Sequence, residues 1–396
     1  MKLLCVNAGS SSLKFQLYEM PEEISVISGY VEKIGAEDSF YTIKFEGKKT
    51  ETQKSLKNHA EAVKVMLEEL INYGAVKDLS EIKGVGHRVL HGGEKYADSV
   101  IITEEVLQDI KDLTKLGPLH HPGNIAGIQA MQKALPEAVQ VAVFDTAFHH
   151  SIPKVQYMYP VPMEWYEKYG VRKYGFHGTS HKYITETMRK KLGKENVNLI
   201  ICHVGSGASI TAVKDSKSYD TTMGLTPLDG LMMGTRSGSI DPSIIKYMID
   251  ESDMTYDKID TALNKKSGLL GICGFNDNRD VEKAISQGNE NARLALDMYV
   301  DRIVRYIAEY YLELNGKVDA IVFTAGVLEN GAETRASIIN GLSPLGIKLN
   351  AEVNSAIAGF KEITSGIITA EDSTVPVYVE PTNEEVMIIR DAYKFC

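Results

Sequence analysis

The sequence predicts an α/β protein made of two related halves, each built on a twisted sheet whose strand ends face a shared cleft. Two repeated patterns carry this expectation. A short apolar strand, a turn of small polar residues and a second strand occupy residues 3–18, with the turn reading Asn7-Ala8-Gly9-Ser10-Ser11-Ser12 and the second strand opening with Leu13 and Lys14. The same device returns at residues 199–213, where the turn reads His203-Val204-Gly205-Ser206-Gly207. A buried apolar strand ending in a polar turn also occurs twice, at 140–147 and 319–326, in the same order and at a similar offset. Glycine lets a backbone come close to phosphate oxygens, and turn amides and hydroxyls can donate to them. One such hairpin is an ordinary surface turn; two in corresponding places suggest a clamp.

Element by element, strands are expected near 2–6, 12–18, 24–31, 40–45, 84–90 and 140–145. A helix fits 54–73, with Leu56, Val63, Met66, Leu67, Leu70 and Ile71 on one side and Gly74 as its stop. The second half repeats the order with strands near 198–203, 208–214 and 319–324. Its long helix, within 290–314, carries Leu296, Tyr299, Ile303, Tyr306, Ile307 and Tyr310 as a core stripe. Between Gly224 and Pro242 the chain shows neither period, yet Leu231, Met232 and Met233 argue for an ordered functional loop. A strand near 375–379 leads to a final helix, for which Thr382 and Glu385 have capping-box spacing, and this helix could pack back on the first half. The boundary between the halves falls near residue 150.

Composition sets limits on function. With 396 residues, 43% hydrophobic and 24% charged, the chain can build two globular cores. A net charge of −10 opposes general affinity for nucleic acid or anionic membrane and directs attention to small molecules. Cys5, Cys202, Cys273 and Cys396 have no CxxC spacing; they read as reduced thiols, hence a cytoplasmic protein. No secretory leader and no membrane-spanning run is expected.

Four places join a charged or donor residue to glycine: His87–Gly93, Phe176–His181, Gly234–Gly238 and the turn at Asp145. Arginine's planar fork matches carboxylate and phosphate oxygens, so Arg88 and Arg236 together suit a transferring phosphoryl group, whereas either alone reads as a surface ion pair. The pairs His87/His91 and His177/His181 have i, i+4 spacing, which raises a zinc hydrolase, but neither has HExxH form. His91, His120, His121, His149 and His150 read as polar loop residues. Neither a P-loop nor a dinucleotide fingerprint is present, so any phosphate site uses another fold.

Taken in order, Asn7–Lys14, His87–Gly93, Phe144–His149, Tyr174–His181 and Pro381–Glu385 resemble the motifs of the acetokinase family over essentially the whole chain. The resemblance implies two duplicated actin-like ATPase domains of ribonuclease H type. Residues 1–150 with 382–396 would form the carboxylate side, and 151–381 the nucleotide side with the dimer contacts. It implies a cytoplasmic homodimer and Mg2+-dependent transfer between ATP and acetate, with Mn2+ as an alternative ion and ADP as the product. Arg88 and Arg236 would hold the carboxylate and the phosphoryl group, and His177 would donate to that group. Asp145 would orient the acetate side and Asn7 the phosphoryl side, with Glu384 and Asn7 at the metal. Leu90, Leu119, Phe176 and Pro227, with Arg88, match the acetate pocket. Lys14, Ser10, Ser12, His203, Gly205, Ser206 and Gly207 match the phosphate turns. Asp277, Asn278, Arg279, Gly326, Val327 and Asn330 match the adenosine site.

Departures from the family's pattern fall at Ser206, Ser239, Leu328 and Asn278, all on the donor half, and are expected to bear on the phosphoryl donor; in the acceptor pocket Leu90 replaces a usual Val. Beside an acetate kinase stand a propionate kinase or one with another donor, a nucleotide-gated binding module of the same fold, and the metallohydrolase.

Overall fold

The computed structural model describes residues 1–396. The chain divides into two compact units, Met1–His150 with Asn383–Cys396, and Ser151–Thr382.

The first unit carries an eight-stranded sheet: β1 (Lys2–Ala8), β2 (Leu13–Glu19), β3 (Ile24–Glu32), β4 (Phe40–Phe45), β5 (Lys48–Gln53), β6 (Ile82–Val89), β7 (Val100–Ile101) and β8 (Val139–Phe144). Its order is β5-β4-β3-β2-β1-β6-β8-β7. The first five strands form an antiparallel meander, while β6 and β8 run parallel to β1. Strand β5 has no apolar residue and is mostly exposed, so it carries no sequence signal. It forms because Glu46 and Gly47, at φ 49° and 75°, make the tight turn that folds it back on β4. The helix His59–Asn72 is shorter than its expected span, since the Asn58 side chain accepts from Glu61 N and starts it. Val63, Met66, Leu67 and Leu70 enter the core with Leu4, Leu13 and Phe15, but Ile71 is 44% exposed, off the buried stripe.

The helix Glu384–Tyr393 lies against β6, where a Cβ on Gly86 would stand 2.7 Å from the Ile388 side chain. Asn383 is its N-cap, accepting from Val386 N at 3.0 Å, in place of the expected Thr382 cap. Asparagine is as good a cap as threonine, and the chain turns one residue later than the spacing suggests.

The second unit has six strands: β9 (Leu199–Val204), β10 (Ala208–Lys214), β11 (Lys217–Thr221), β12 (Ala320–Thr324), β13 (Gly366–Ile367) and β14 (Val377–Val379). Their order is β11-β10-β9-β12-β14-β13. Strands β9, β10 and β11 form an antiparallel meander, and β12 and β14 run parallel to β9. The repeated core is therefore β3-β2-β1-β6-β8 and β11-β10-β9-β12-β14. This corrects the pairing of the second repeated segment: β12 corresponds to β6, not to β8. Both parallel strands of each half are buried on two faces and end in a polar turn, so their local patterns look alike.

The helix Glu290–Glu313 buries Leu296, Tyr299, Ile303, Ile307 and Tyr310, whereas Tyr306 is half-buried. The 224–242 segment has no regular element, yet Leu231 and Met233 are fully buried. Gly230 and Gly238 take φ of 94° and 70°, and Ser239 N donates to Gly230 O at 3.0 Å, closing the loop on itself. No helix is long and apolar enough to cross a membrane.

Candidate active site

In the first unit the parallel strands end beside the Asn7–Ser12 turn. Arg88 is the penultimate residue of β6 and Asp145 follows β8, so the adjacent strands bring them side by side. Arg88 Nε donates to both Asp145 oxygens at 3.2 and 3.1 Å, and Nη2 closes a second bond to Oδ2. Asp145 is fully buried; the Arg88 side chain remains 24% exposed and can reach a ligand. Burial opposes the guanidinium charge, but Asp145 and Glu384 outweigh it and raise the Arg88 pKa.

A cavity of about 220 Å³ lies here, lined by Asn7, Gly9, Ser12, Lys14, Arg88 and Leu90 among others. Asn124 braces it: Nδ2 donates to Ala8 O at 2.7 Å and Oδ1 accepts from Leu90 N at 3.1 Å, tying the β1 turn to the β6 end. Nothing in local sequence marks Asn124, because both partners are distant in the chain. Ser10 and Lys14 are exposed, Leu90 is 5% exposed and Leu119 is 56% exposed.

Glu384 opens the C-terminal helix with one carboxyl oxygen, Oε1, buried and without a hydrogen-bond partner. Burial pushes its pKa up to about 7, with Arg88 pulling the other way and Asp145 adding to the rise. A buried oxygen with an unused lone pair, on a helix that packs against β1, the strand carrying Asn7, is the kind of hard donor a small divalent cation takes when substrate oxygens and water complete its shell. These residues fit such an ion.

The second unit holds the other motifs. His177 precedes the helix Gly178–Leu192 and adopts left-handed φ 55°, ψ 23°. For a residue with a side chain this costs about 1–2 kcal/mol, offset by contacts that fix the ring. Its Nδ1 lies 2.9 Å from Ser209 Oγ, and the ring stacks on His203 with centroids 4.2 Å apart. The turn after β9 passes in front. A Cβ on Gly207 would stand 3.3 Å from His177 Nε2 and 3.6 Å from Arg236 Nη1, so both nitrogens converge on this glycine. Arg236 Nη1 also donates to Pro227 O at 3.1 Å, and burial lowers its pKa. Phe176 is buried and Pro227 half-buried; Gly205 donates to Gly207 O at 3.0 Å, leaving the Ser206 side chain exposed.

Beyond β12 the helix Ala325–Asn330 begins with Ala325 at φ 67°. Glu329 accepts from Ala325 N at 2.7 Å and Thr382 N at 3.1 Å, another brace that no local pattern shows. Gly326 opens on free space, Val327 is half-buried, and Asn330 links Gly326 O to Gly359 N. Asp277 caps the helix Asn278–Ser286 and pairs with Arg279 on the surface.

Several expectations change. Asn278 is 7% exposed, its amide donating to Glu282 and Thr334, so it faces the core and does not stand with Asp277 and Arg279. Leu328 is fully buried and adds no bulk to the loop surface. Ser239 donates to Asp229 at 2.6 Å inside the 224–242 loop. His91, His121 and His149 are fully buried: His91 lies in a loop as expected, whereas His121 opens a helix, its Nδ1 bonding Ile110 O at 2.8 Å, and His149 sits in a short helical turn. His87 is buried with Nε2 on Gln140 at 2.8 Å, while His177 and His181 converge on Ser209, so neither i, i+4 pair forms a shared metal-binding face.

Two sheets of matching order, each with a small-residue turn after its first strand, define the duplicated actin-like class of phosphotransferases. The acetokinase family model matches residues 2–390, and the chain belongs to the acetokinase family. It is 49% identical over 396 residues to an acetate kinase of Bacillus velezensis, covering 99% of each chain. It is 50% identical to one from a Geobacillus species, covering 99% of this chain and 98% of that one. An acetate kinase structure from Porphyromonas gingivalis superposes with a TM-score of 0.93 at 41% identity, and a propionate kinase from Francisella tularensis with 0.94 at 41%, each covering 99% of both chains.

Proposed function

We propose that the protein is an acetate kinase, transferring a phosphoryl group reversibly from ATP to acetate to give acetyl phosphate and ADP by direct in-line displacement. The observation that carries this reading is 49–50% identity to acetate kinases along the full chain. Phosphoryl transfer asks mainly for positioning and charge neutralisation, and the site residues supply both.

In the first unit, Arg88 pairs with the acetate carboxylate, Asp145 holds the guanidinium in place, and Leu90 and Leu119 contact the methyl end; Phe176 and Pro227 of the second unit are assigned to the same methyl group. Asn7, with Ser10, Ser12 and Lys14, contacts phosphoryl oxygens. In the second unit, Arg236 and His177 donate to the phosphoryl group, His203 and the Gly205–Gly207 turn hold phosphate, and Asp277, Arg279, Gly326, Val327 and Asn330 hold the adenosine, with Asn278 anchoring their helix from within. Mg2+, held by Glu384 and Asn7, would neutralise phosphate charge when bound. Mn2+ has the same ligand chemistry.

The test is hydroxamate trapping of acyl phosphate with acetate, Mg2+ and, in turn, ATP, GTP and pyrophosphate. Product with ATP is expected; no acyl phosphate with any donor sinks the reading. The propionate kinase neighbour supports a second acceptor reading, and the same assay with propionate separates the two.

A homodimer is part of the proposal. The helix Ser243–Glu251 buries no residue, and its Ile244 and Tyr247 are 43% and 64% exposed, an apolar face suited to a second copy. Buried, unbridged Cys5 and Cys202 suit a cytoplasmic protein.

A further inference from the structure

Behind His177 lies a hydroxyl that no motif singles out. Ser209, on β10 and fully buried, places Oγ 2.9 Å from His177 Nδ1 and 2.8 Å from His181 Nε2. The two histidines are one helical turn apart, at the cap and in the first turn of the helix Gly178–Leu192, so both rings reach the same atom.

The protons at this junction are limited. A serine hydroxyl has one proton to donate and lone pairs with which to accept, and a neutral imidazole carries its proton on one nitrogen only. If Ser209 donates to His177 Nδ1, His177 carries its proton on Nε2, and His181 donates from its Nε2 to the serine oxygen. The reverse arrangement leaves a lone pair on His177 Nε2. That atom faces Gly207, where Arg236 Nη1 also arrives. A bare nitrogen there would repel an anionic oxygen, whereas an N–H would bind it.

We propose that Ser209, backed by His181, is a positioning residue that holds His177 in the Nε2–H tautomer, making the ring a hydrogen-bond donor toward the transferring phosphoryl group. This rests on the reading of His177 given above. It also accounts for the His177/His181 spacing: the pair meets at a shared hydroxyl.

Histidine-ring nitrogen NMR on the full-length 15N-labelled protein reads the tautomer directly, without reference to activity. His177 is expected as the Nε2–H form, and a population dominated by Nδ1–H overturns the proposal. In Ser209→Ala the His177 ring signals should shift and kcat should fall by about 10–100-fold, the size typical of an oriented imidazole losing its partner, with KM for ATP and acetate little changed. Ser209→Thr should restore both. The pair Ser209→Ala and His177→Ala should be no slower than His177→Ala alone, because one acts through the other. Additive losses would make Ser209 a structural residue and sink the idea, as would unchanged ring signals in Ser209→Ala. If His177→Ala retains full kcat while the wild-type ring is Nε2–H, the underlying role of His177 fails rather than the tautomer assignment.

Discussion

Arg88 shows how a single side chain is made ready for an anion. Its fork is already aligned by Asp145, so little rotamer freedom is lost on binding, while the exposed part of the side chain faces a cavity. Arg88→Ala and Arg236→Ala should each lower kcat by an amount equivalent to roughly 2.7–4 kcal/mol, the range for a lost transition-state donor, with a smaller change in ATP affinity. Steady-state kinetics with correctly folded variants is the check, and near-normal turnover removes the assigned roles. Leu90 gives a second test at this scale. It is 5% exposed and lines the same cavity, so truncation would widen the proposed acceptor pocket. Acetate should be preferred to propionate by the roughly 1–3 kcal/mol that one methylene is worth, and Leu90→Ala should shift the ratio of kcat/KM values toward propionate. An unchanged ratio would mean that Leu90 does not touch the substrate methyl. Both arginines and Leu90 were legible in the sequence through their motifs; Asn124, Ser209 and Glu329 were not, because each bridges segments far apart in the chain.

At the level of elements, the helix His121–Ala134 acts as a backstop for the Asn7–Ser12 turn. Gly123 lies so close that a Cβ there would meet the Gly9 carbonyl, and four residues on Gly127 packs against the Ala8 methyl. Gly123→Ala should push the turn outward, destabilising the fold by roughly 1–3 kcal/mol and lowering kcat. Denaturant unfolding and turnover measured together test this; an undisturbed kcat would show that the turn needs no such support. On the second unit, the helix Glu290–Glu313 ends with Glu313 near Asp220 of β11, which pairs with Lys173. Burial, then Asp220 and Glu309, push the Glu313 pKa up to about 7, above its ordinary value of 4.5. The folded protein therefore holds a proton that the unfolded chain releases between these two values. Stability from this group is fully present below about pH 4.5 and is lost as pH rises through about 7. Glu313→Gln should flatten that part of the stability profile, and equal slopes for the two proteins would contradict the shift.

For the molecule as a whole, the proposed dimer would use the exposed Ile244 and Tyr247 of the helix Ser243–Glu251, in which no residue is fully buried. Light scattering should give a mass near twice the 43.7 kDa of one chain, and replacing Ile244 and Tyr247 together with Asp should return it to 43.7 kDa. A wild-type monomer, or a variant that still dimerises, would put the interface elsewhere or abolish it.

The sequence by itself determined the two-half α/β plan, the repeated small-residue turns, most strands and the family, because adjacent residues encode strand period, turn chemistry and motif spacing. Tertiary structure decided what those patterns leave degenerate. It matched β12 to β6 through sheet order, since two buried parallel strands with polar ends have the same local signature. Packing turned Leu328 and Asn278 inward, and a two-residue turn recruited the wholly polar β5. The meeting of His177 and His181 at Ser209 likewise exists only once the helix is packed on the sheet beside β9. A hydrogen bond depends on where two atoms end up, and chain distance does not encode that.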